Sequence, residues 1–336
     1  METWDILRHI WFILIGILLL GYSILDGFDL GIGILFRILG KKEDEKEALV
    51  KSIGPVWDGN EVWILTGGGA LFAAFPHAYA TVFSGFYLAL MVVLFSLIFR
   101  AVSLEFRAHD TKREGFWEGA FIGGSFLPAL LFGVALGNVV VGVPLDKTMN
   151  YTGTFFTLLR PFPLVLGLLG LTAFLMQGST YAAVKIGGAV QTRARKTAKR
   201  IWNLYVLFLV LAFMATLVYL PDSITNILAW ISAVAVICAL AVLRIALRKS
   251  KDALAFLMSS LTFVGLWGII GSIHFPNLVK ASNDPALSLT IDNASSSELT
   301  LKVMLIIALV GMPIVVGYTI YLYKIFKGKI QIESTG

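Results

Sequence analysis

Nine long apolar runs constrain this 336-residue chain more than any single motif does. A helix needs about 20 largely apolar residues to cross the hydrocarbon of a bilayer. Segments near 9–36, 55–75, 78–99, 117–141, 156–182, 201–220, 225–243, 252–274 and 300–323 meet that length. Inside lipid every backbone amide must bond within its own segment, so runs like these become helices. Only 14% of the residues are charged and 57% are hydrophobic, whereas a soluble domain carries roughly 25% charged residues. The expected fold is an all-α polytopic membrane protein of nine transmembrane helices, with no loop long enough to bury a core of its own. The first run follows Glu2 and Asp5 and ends in Leu25-Asp26-Gly27 rather than a small-x-small cleavage pattern, so it reads as a retained span.

The net charge of +6 does not point to nucleic acid, because the cations fall in short loops between apolar runs. Arg37, Lys41, Lys42, Lys46 and Lys51 follow the first run, and Arg100, Arg107, Lys112 and Arg113 follow the third. Lys185 to Arg200 hold six more, Arg244 to Lys251 hold four, and Lys324, Lys327 and Lys329 lie in the tail. The alternate loops hold only Arg8, Lys147, Lys280 and Lys302, with Arg160 nearby. The positive-inside rule then places the N-terminus outside and the C-terminus in the cytoplasm. The one sizeable exterior loop runs over about 275–299.

An ionisable residue at membrane depth is costly and is a functional candidate by default. Asp26 and Asp29 are three apart in the first run, and Asp58 and Glu61 are three apart at the start of the second, so each pair shares a helix face. The third run ends at Arg100, with Glu105 just beyond. With alternating direction, all six lie near the cytoplasmic ends of three consecutive helices. Two readings fit them. In one, a chain of carboxylates relays protons from the cytoplasm. In the other, Asp58 complements a helix N-terminus, Trp57 and Trp63 anchor at the interface, and Asp29 or Glu105 clamps Arg100.

Asn138, Arg160 and Gln177 read as interhelical hydrogen-bonding residues. The glycines of Gly67-Gly68-Gly69-Ala70 and Gly123-Gly124-Ser125 read as close-packing positions. Cys238, the single cysteine, excludes an internal disulfide and reads as a small packing residue. His9, His77, His109 and His274 fall at run ends or in loops, an arrangement poorly suited to a pair of axial haem ligands. No metal site and no phosphate-binding or dinucleotide fingerprint is expected.

Nine motifs then occur in order. They begin with Asp26-Gly27-Phe28-Asp29-Leu30-Gly31 and Trp57-Asp58-Gly59-Asn60-Glu61-Val62-Trp63. Gly69 to Pro76, Phe83 to Tyr87, Gly133 to Asn138, Tyr151 to Phe156 and Gln177 to Tyr181 follow, with Ser259 to Thr262 and Ala294 to Leu301 closing the set. Together they resemble subunit II of the cytochrome bd-type quinol oxidases over essentially the whole chain. The resemblance implies two four-helix bundles, here 1–150 and 151–275, and a final part, 276–336, holding the exterior loop, a peripheral ninth helix and the tail. It implies a partner, subunit I, that carries haem b, haem d and the quinol site, with small accessory subunits and membrane lipids as further company. The chain itself would bind no haem and would not be catalytic alone, and a structural quinone is compatible with the family. The complex would sit in a bacterial or archaeal cytoplasmic membrane, oxidise quinol outside and reduce O2 to water with cytoplasmic protons, generating a proton motive force without pumping.

The resemblance further implies that Asp58 and Glu105 belong to a proton path toward haem d, although family members often carry Asp where this chain has Glu105. Glu61 would be the next relay, and Asp26, Asp29 and Arg100 a supporting polar cluster with Asp29 and Arg100 paired. Two other functions fit the same spans: a proton-coupled secondary transporter, which ought to show inverted repeats and midplane acids, and a purely structural assembly subunit.

Overall fold

The computed structural model describes residues 2–332. Eleven helices carry the chain: α1 Thr3–Leu39, α2 Glu43–Ile53, α3 Trp57–Ala74, α4 Pro76–Gly85, α5 Tyr87–Phe106, α6 Glu114–Val141, α7 Pro161–Lys185, α8 Gly188–Tyr219, α9 Ile227–Arg248, α10 Asp252–His274 and α11 Glu298–Ile325. Among the described residues, eight helices are long and apolar enough to cross a membrane, namely α1 and α5 to α11. The expected span at 55–75 corresponds to α3, which is not among them. Asp58, Asn60 and Glu61 in its first two turns lower its hydropathy.

The sequence boundaries shift where punctuation intervenes. The expected span at 78–99 is divided between α4 and α5, which part at Phe86. Proline opens α4 at its first position, where its missing N–H is not needed. The loop after α1 contains α2, which the charge density had hidden. Its signal is the spacing of Ala48, Leu49, Ser52 and Ile53, all buried. Glu45 closes the start of α2 by accepting from the Lys41 and Lys42 amides at 2.7 and 3.0 Å.

α1 lies at the centre and packs on α3, α6 and α7, and α7 packs in turn on α6, α8 and α10. The α1–α7 crossing needs glycine on both sides. A Cβ on Gly31 would lie 2.1 Å from the Phe174 carbonyl oxygen, and one on Gly178 would lie 2.4 Å from the Gly31 carbonyl carbon. Beside it Phe28 stacks on Tyr181 with centroids 4.0 Å apart. Small residues replace the missing hydrophobic drive between helices in lipid by letting backbones approach. α11 is the opposite case, since Leu301 is its one buried residue.

The loops gather at two ends. At one, Arg8 bonds Asp292 and Ser295, Trp4 Nε1 donates to the Ser296 carbonyl, and the Ser296 amide donates to the Ala74 carbonyl at 2.8 Å. There the 275–299 segment forms strands β1 Asn277–Val279 and β2 Leu289–Thr290, and Ala281 bridges to Val143. Periodicity could not find pieces this short. At the other end, Arg37 bonds Glu118, Arg193 donates to the Leu39 carbonyl, and Ile330 pairs with the backbone of Lys185 and Gly187. This second end holds the lysine- and arginine-rich loops. Cys238 is exposed on α9, contrary to its reading as a packing residue. α8 and α9, although consecutive, meet sparsely, with Trp202 Nε1 donating to the Leu240 carbonyl at 3.0 Å and Arg244 to the Lys199 carbonyl at 3.2 Å.

Candidate functional site

The half of α1 nearer the lysine- and arginine-rich loops carries the two carboxylates, and their three-residue spacing sends them to different neighbours. Three residues on a helix turn through about 300°, so the side chains diverge by about 60°. Asp26 meets Arg100 of α5 in a two-pronged pair, with Nη1 at 2.9 Å from Oδ2 and Nη2 at 2.5 Å from Oδ1. Both side chains are fully buried. Gly124 of α6 lets Arg100 come in, because a Cβ there would sit 2.5 Å from the Ser96 carbonyl and 2.8 Å from the Arg100 amide. This parallel fork is the strong form of an arginine–carboxylate bond.

Asp29, also fully buried, does not pair with Arg100, which corrects the pairing expected from sequence. Its Oδ2 accepts from Asn60 Nδ2 at 2.8 Å, and its Oδ1 has no partner among the described residues. Asn60 in turn accepts from the Tyr323 hydroxyl at 3.1 Å. Asn60 stood unassigned inside a motif, and Tyr323 comes from the last helix, 263 residues away in sequence. No local spacing links them, so sequence periodicity could not have found the pair.

Asp58 in the first turn of α3 and Glu105 in the last turn of α5 are exposed, and neither has an ion-pair partner among the described residues. Glu105 therefore does not clamp Arg100. Glu61, half-buried, lies within electrostatic reach of Asp58, Asp26 and Arg100. The six residues gather at one end, as the alternating directions require, but as two sets. Asp26, Asp29 and Arg100 form an interior set, and Asp58 and Glu105 a surface set, with Glu61 between them. α3 rests on α1 and α5 on α6, and the two scarcely meet each other.

Beyond the helix ends lies a network of charges. Glu118 takes Arg37 at 2.8 Å and Lys46 at 2.6 Å, while Arg107 bonds Glu114 at 2.8 Å and also reaches Glu43. Glu43, Glu114 and Glu118 offer oxygens within 4.8 Å of one another, and these cations neutralise them. Burial raises the proton affinity of Glu43, but bonds from Glu114 and Arg107 outweigh it and hold the carboxyl below its usual value. Burial likewise opposes ionisation of Glu45, and Arg193 with the Lys42 and Lys41 amides more than offsets it. For Lys46, burial lowers the pKa, and Glu118 and Glu114 reverse it to a net rise.

The remaining polar candidates behave as interhelical bonds. Arg160 donates to Asn138 and to the Gly142 carbonyl, and Asn138 donates to the Leu158 carbonyl. Gln177 joins the Ile24 carbonyl to Ser260. Each histidine ring is bonded to a backbone carbonyl: His9 to Asp5, His77 to Thr148, His109 to Glu105 and His274 to Leu278. A large apolar cleft of about 1550 Å³ opens among α1, α6 and α7 to α10, lined by Phe132, Trp202, Phe213, Trp230 and Trp267 among others.

The family described as cytochrome bd terminal oxidase subunit II matches residues 7–326. The chain belongs to that family. It is 37% identical to the cytochrome bd-I ubiquinol oxidase subunit 2 of Escherichia coli (strain K12), with 99% of this chain and 98% of that relative covered. It is 36% identical to the cytochrome bd ubiquinol oxidase subunit 2 of Bacillus subtilis (strain 168), with 97% of each covered. A chain in the structure of bd oxidase from Geobacillus thermodenitrificans superposes with a TM-score of 0.80 over 95% of this chain and 98% of that one. At 16% identity that likeness shows the shared fold. As a bd oxidase subunit II, the chain is a transmembrane part of a respiratory quinol oxidase complex, an oxidoreductase, and it has a subunit I as partner.

Proposed function

We propose that this chain supports the haem-bearing subunit I and lines a proton path from the cytoplasm toward the oxygen-reducing site. The observation that carries the reading is the separation of the carboxylates. Asp58 and Glu105 lie exposed and without ion-pair partners among the described residues, whereas the acids just behind them are buried and partnered. A carboxylate facing lipid would cost a few kcal/mol. A partner surface that admits water removes that cost and leaves the group free to exchange protons. Asp58 takes a proton from water, and Glu61, three residues on and on the same face, receives it next. Glu105 supplies a second acceptor at the rim. Haem d, when bound in subunit I, supplies the oxygen chemistry; this chain's residues supply only the route.

The same reading orients the molecule with nine spans, α3 included, its N-terminus outside and its C-terminus in the cytoplasm of a bacterial or archaeal cell. It divides the helices into two four-helix bundles, with α11 at the periphery. Open glycines support a close partner on the α3 and α6 surfaces, since a Cβ on Gly68, Gly69, Gly119 or Gly123 would touch nothing within 4 Å. Leu65, Phe95 and Phe99 are exposed on α3 and α5. The 1550 Å³ apolar cleft has the volume and lining for the isoprenoid tail of a structural quinone or for lipid. The complex would oxidise quinol and conserve energy without pumping.

The test uses the assembled complex. A photo-crosslinking amino acid in place of Leu65 or Phe95 is expected to capture subunit I, and one in place of Ile306 on α11 to capture lipid. The complex is expected to show haem b and haem d bands in a reduced-minus-oxidised spectrum. Missing haem bands, or no capture at either position, would overturn the reading. A second reading, in which every carboxylate is structural, draws on the fully buried Asp26–Arg100 fork.

A further inference from the structure

We propose that Tyr323 is a positioning residue for Asp29, acting through the Asn60 amide. The inference rests on the reading that Asp58 and Glu61 of α3 belong to the proton path, with Asp29 in the supporting polar cluster beside it.

The Asn60 side chain has two donors and one acceptor to place. Its NH2 group donates to Asp29 Oδ2 at 2.8 Å and reaches the Leu25 carbonyl at 3.4 Å. Its oxygen accepts from the Tyr323 hydroxyl at 3.1 Å. The hydroxyl donating to the amide oxygen, together with the Leu25 carbonyl and the Asp29 carboxyl accepting from the nitrogen, favours the orientation with nitrogen toward α1. With nitrogen toward Asp29, the amide stabilises the carboxylate. Rotated, it would present oxygen and favour the carboxylic acid. A carboxamide does not readily pass a proton along, so Tyr323 biases the protonation of Asp29 through Asn60 rather than carrying protons to it.

The surroundings fit such a device. α11 buries little of itself and is fixed near its two ends. At the outer end Trp11 Nε1 donates to the Leu301 carbonyl at 3.0 Å. At the inner end the Ile330 amide donates to Lys185 at 2.8 Å, and the Gly187 amide donates to Ile330 at 3.0 Å. Between that tail and α7 lies a cleft of about 280 Å³, lined by Tyr181, Lys185, Tyr323 and Lys329 among others. Tyr323 thus stands between this cleft and Asn60. The titratable groups facing Asp29 are Asp26 of α1, Glu61 of α3, Arg100 of α5, Tyr181 of α7 and Tyr323 of α11.

The test is infrared difference spectroscopy on the assembled oxidase, at the pH where the Asp29 carboxyl is half protonated in the wild type. Tyr323→Phe keeps the ring and removes the hydroxyl. The protonated-carboxyl band is expected to grow, with the acid-to-carboxylate ratio of Asp29 rising about threefold to tenfold, the worth of one hydrogen bond. The growth must vanish in Tyr323→Phe/Asp29→Asn, and Tyr323→Phe must add nothing on an Asn60→Ala background. Fluorotyrosine at position 323, a stronger donor of nearly the same shape, must shrink the band, and it decides the matter alone if the phenylalanine variant fails to assemble. An unchanged band in both would overturn the positioning role. If the band moves as expected while Asp58→Asn leaves oxygen reduction intact, the proton path is wrong and the positioning role stands.

Discussion

Two sets of carboxylates on the first three expected spans end in opposite circumstances. Asp26 and Asp29 are fully buried, one in a fork with Arg100 and one under the Asn60 amide. Asp58 and Glu105, one helix away on either side, are exposed without ion-pair partners among the described residues. The residue type is the same, but the chemical freedom is not. A buried paired charge is held by what surrounds it, and removing one partner strands the other. An exposed carboxylate at an inner helix end keeps its protons in exchange with water. On the proposed reading, the state of the partners marks the proton carrier, and proximity to the membrane core does not.

The largest way to break this contrast is Arg100→Leu. Stranding Asp26 is expected to cost about 3–5 kcal/mol, so the complex fails to assemble. Asp26→Leu/Arg100→Leu, which removes both charges, is expected to restore most of the assembled complex as judged by haem content. Equal loss in the single and double variants would mean that the fork does more than balance charge.

Two adjacent glycines sharpen the comparison at a smaller scale. Gly124→Ala pushes a Cβ against the backbone of Ser96 and Arg100, a misfit of about 1–3 kcal/mol that should lower the melting temperature. Gly123→Ala meets nothing within 4 Å in this chain and should leave its melting unchanged. Gly123→Leu should instead weaken association with subunit I, seen as dissociation of the purified complex in mild detergent.

The smallest effect belongs to the inner rim. The folded-state value of Glu45 lies below the ordinary one, so its contribution is present at neutral pH. It is lost as pH falls below about 4.3 and through the lowered value. Arg193→Gln should therefore melt earlier than the wild type at neutral pH, and the difference should shrink on acidification. A difference that grows on acidification would contradict the assignment.

Much of this was legible in the sequence because lipid imposes simple rules. Span length, the alternation of Lys- and Arg-rich loops, and three-residue spacing are local, and they brought Asp26, Asp58, Glu61, Arg100 and Glu105 to one end. Partner choice was not legible. Whether Arg100 meets Asp26 or Asp29 depends on a 60° difference around α1 and on Gly124 admitting α5. Tyr323 meets Asn60 only because the tail is pinned beside α7. α2 was hidden because its charges read as a loop, although Ala48, Leu49, Ser52 and Ile53 carried a helical stripe.

The central claim is that the exposed set serves protons and the buried set serves structure. It is tested most directly by making Asp58→Asn and Asp26→Asn in the same complex and measuring haem content and oxygen reduction on each preparation. The account predicts that Asp58→Asn keeps its haem and reduces oxygen about tenfold more slowly or worse, the scale of losing a positioned proton carrier. It predicts that Asp26→Asn loses haem and activity together. Haem lost in step with activity in Asp58→Asn, or full activity in both variants, would contradict it.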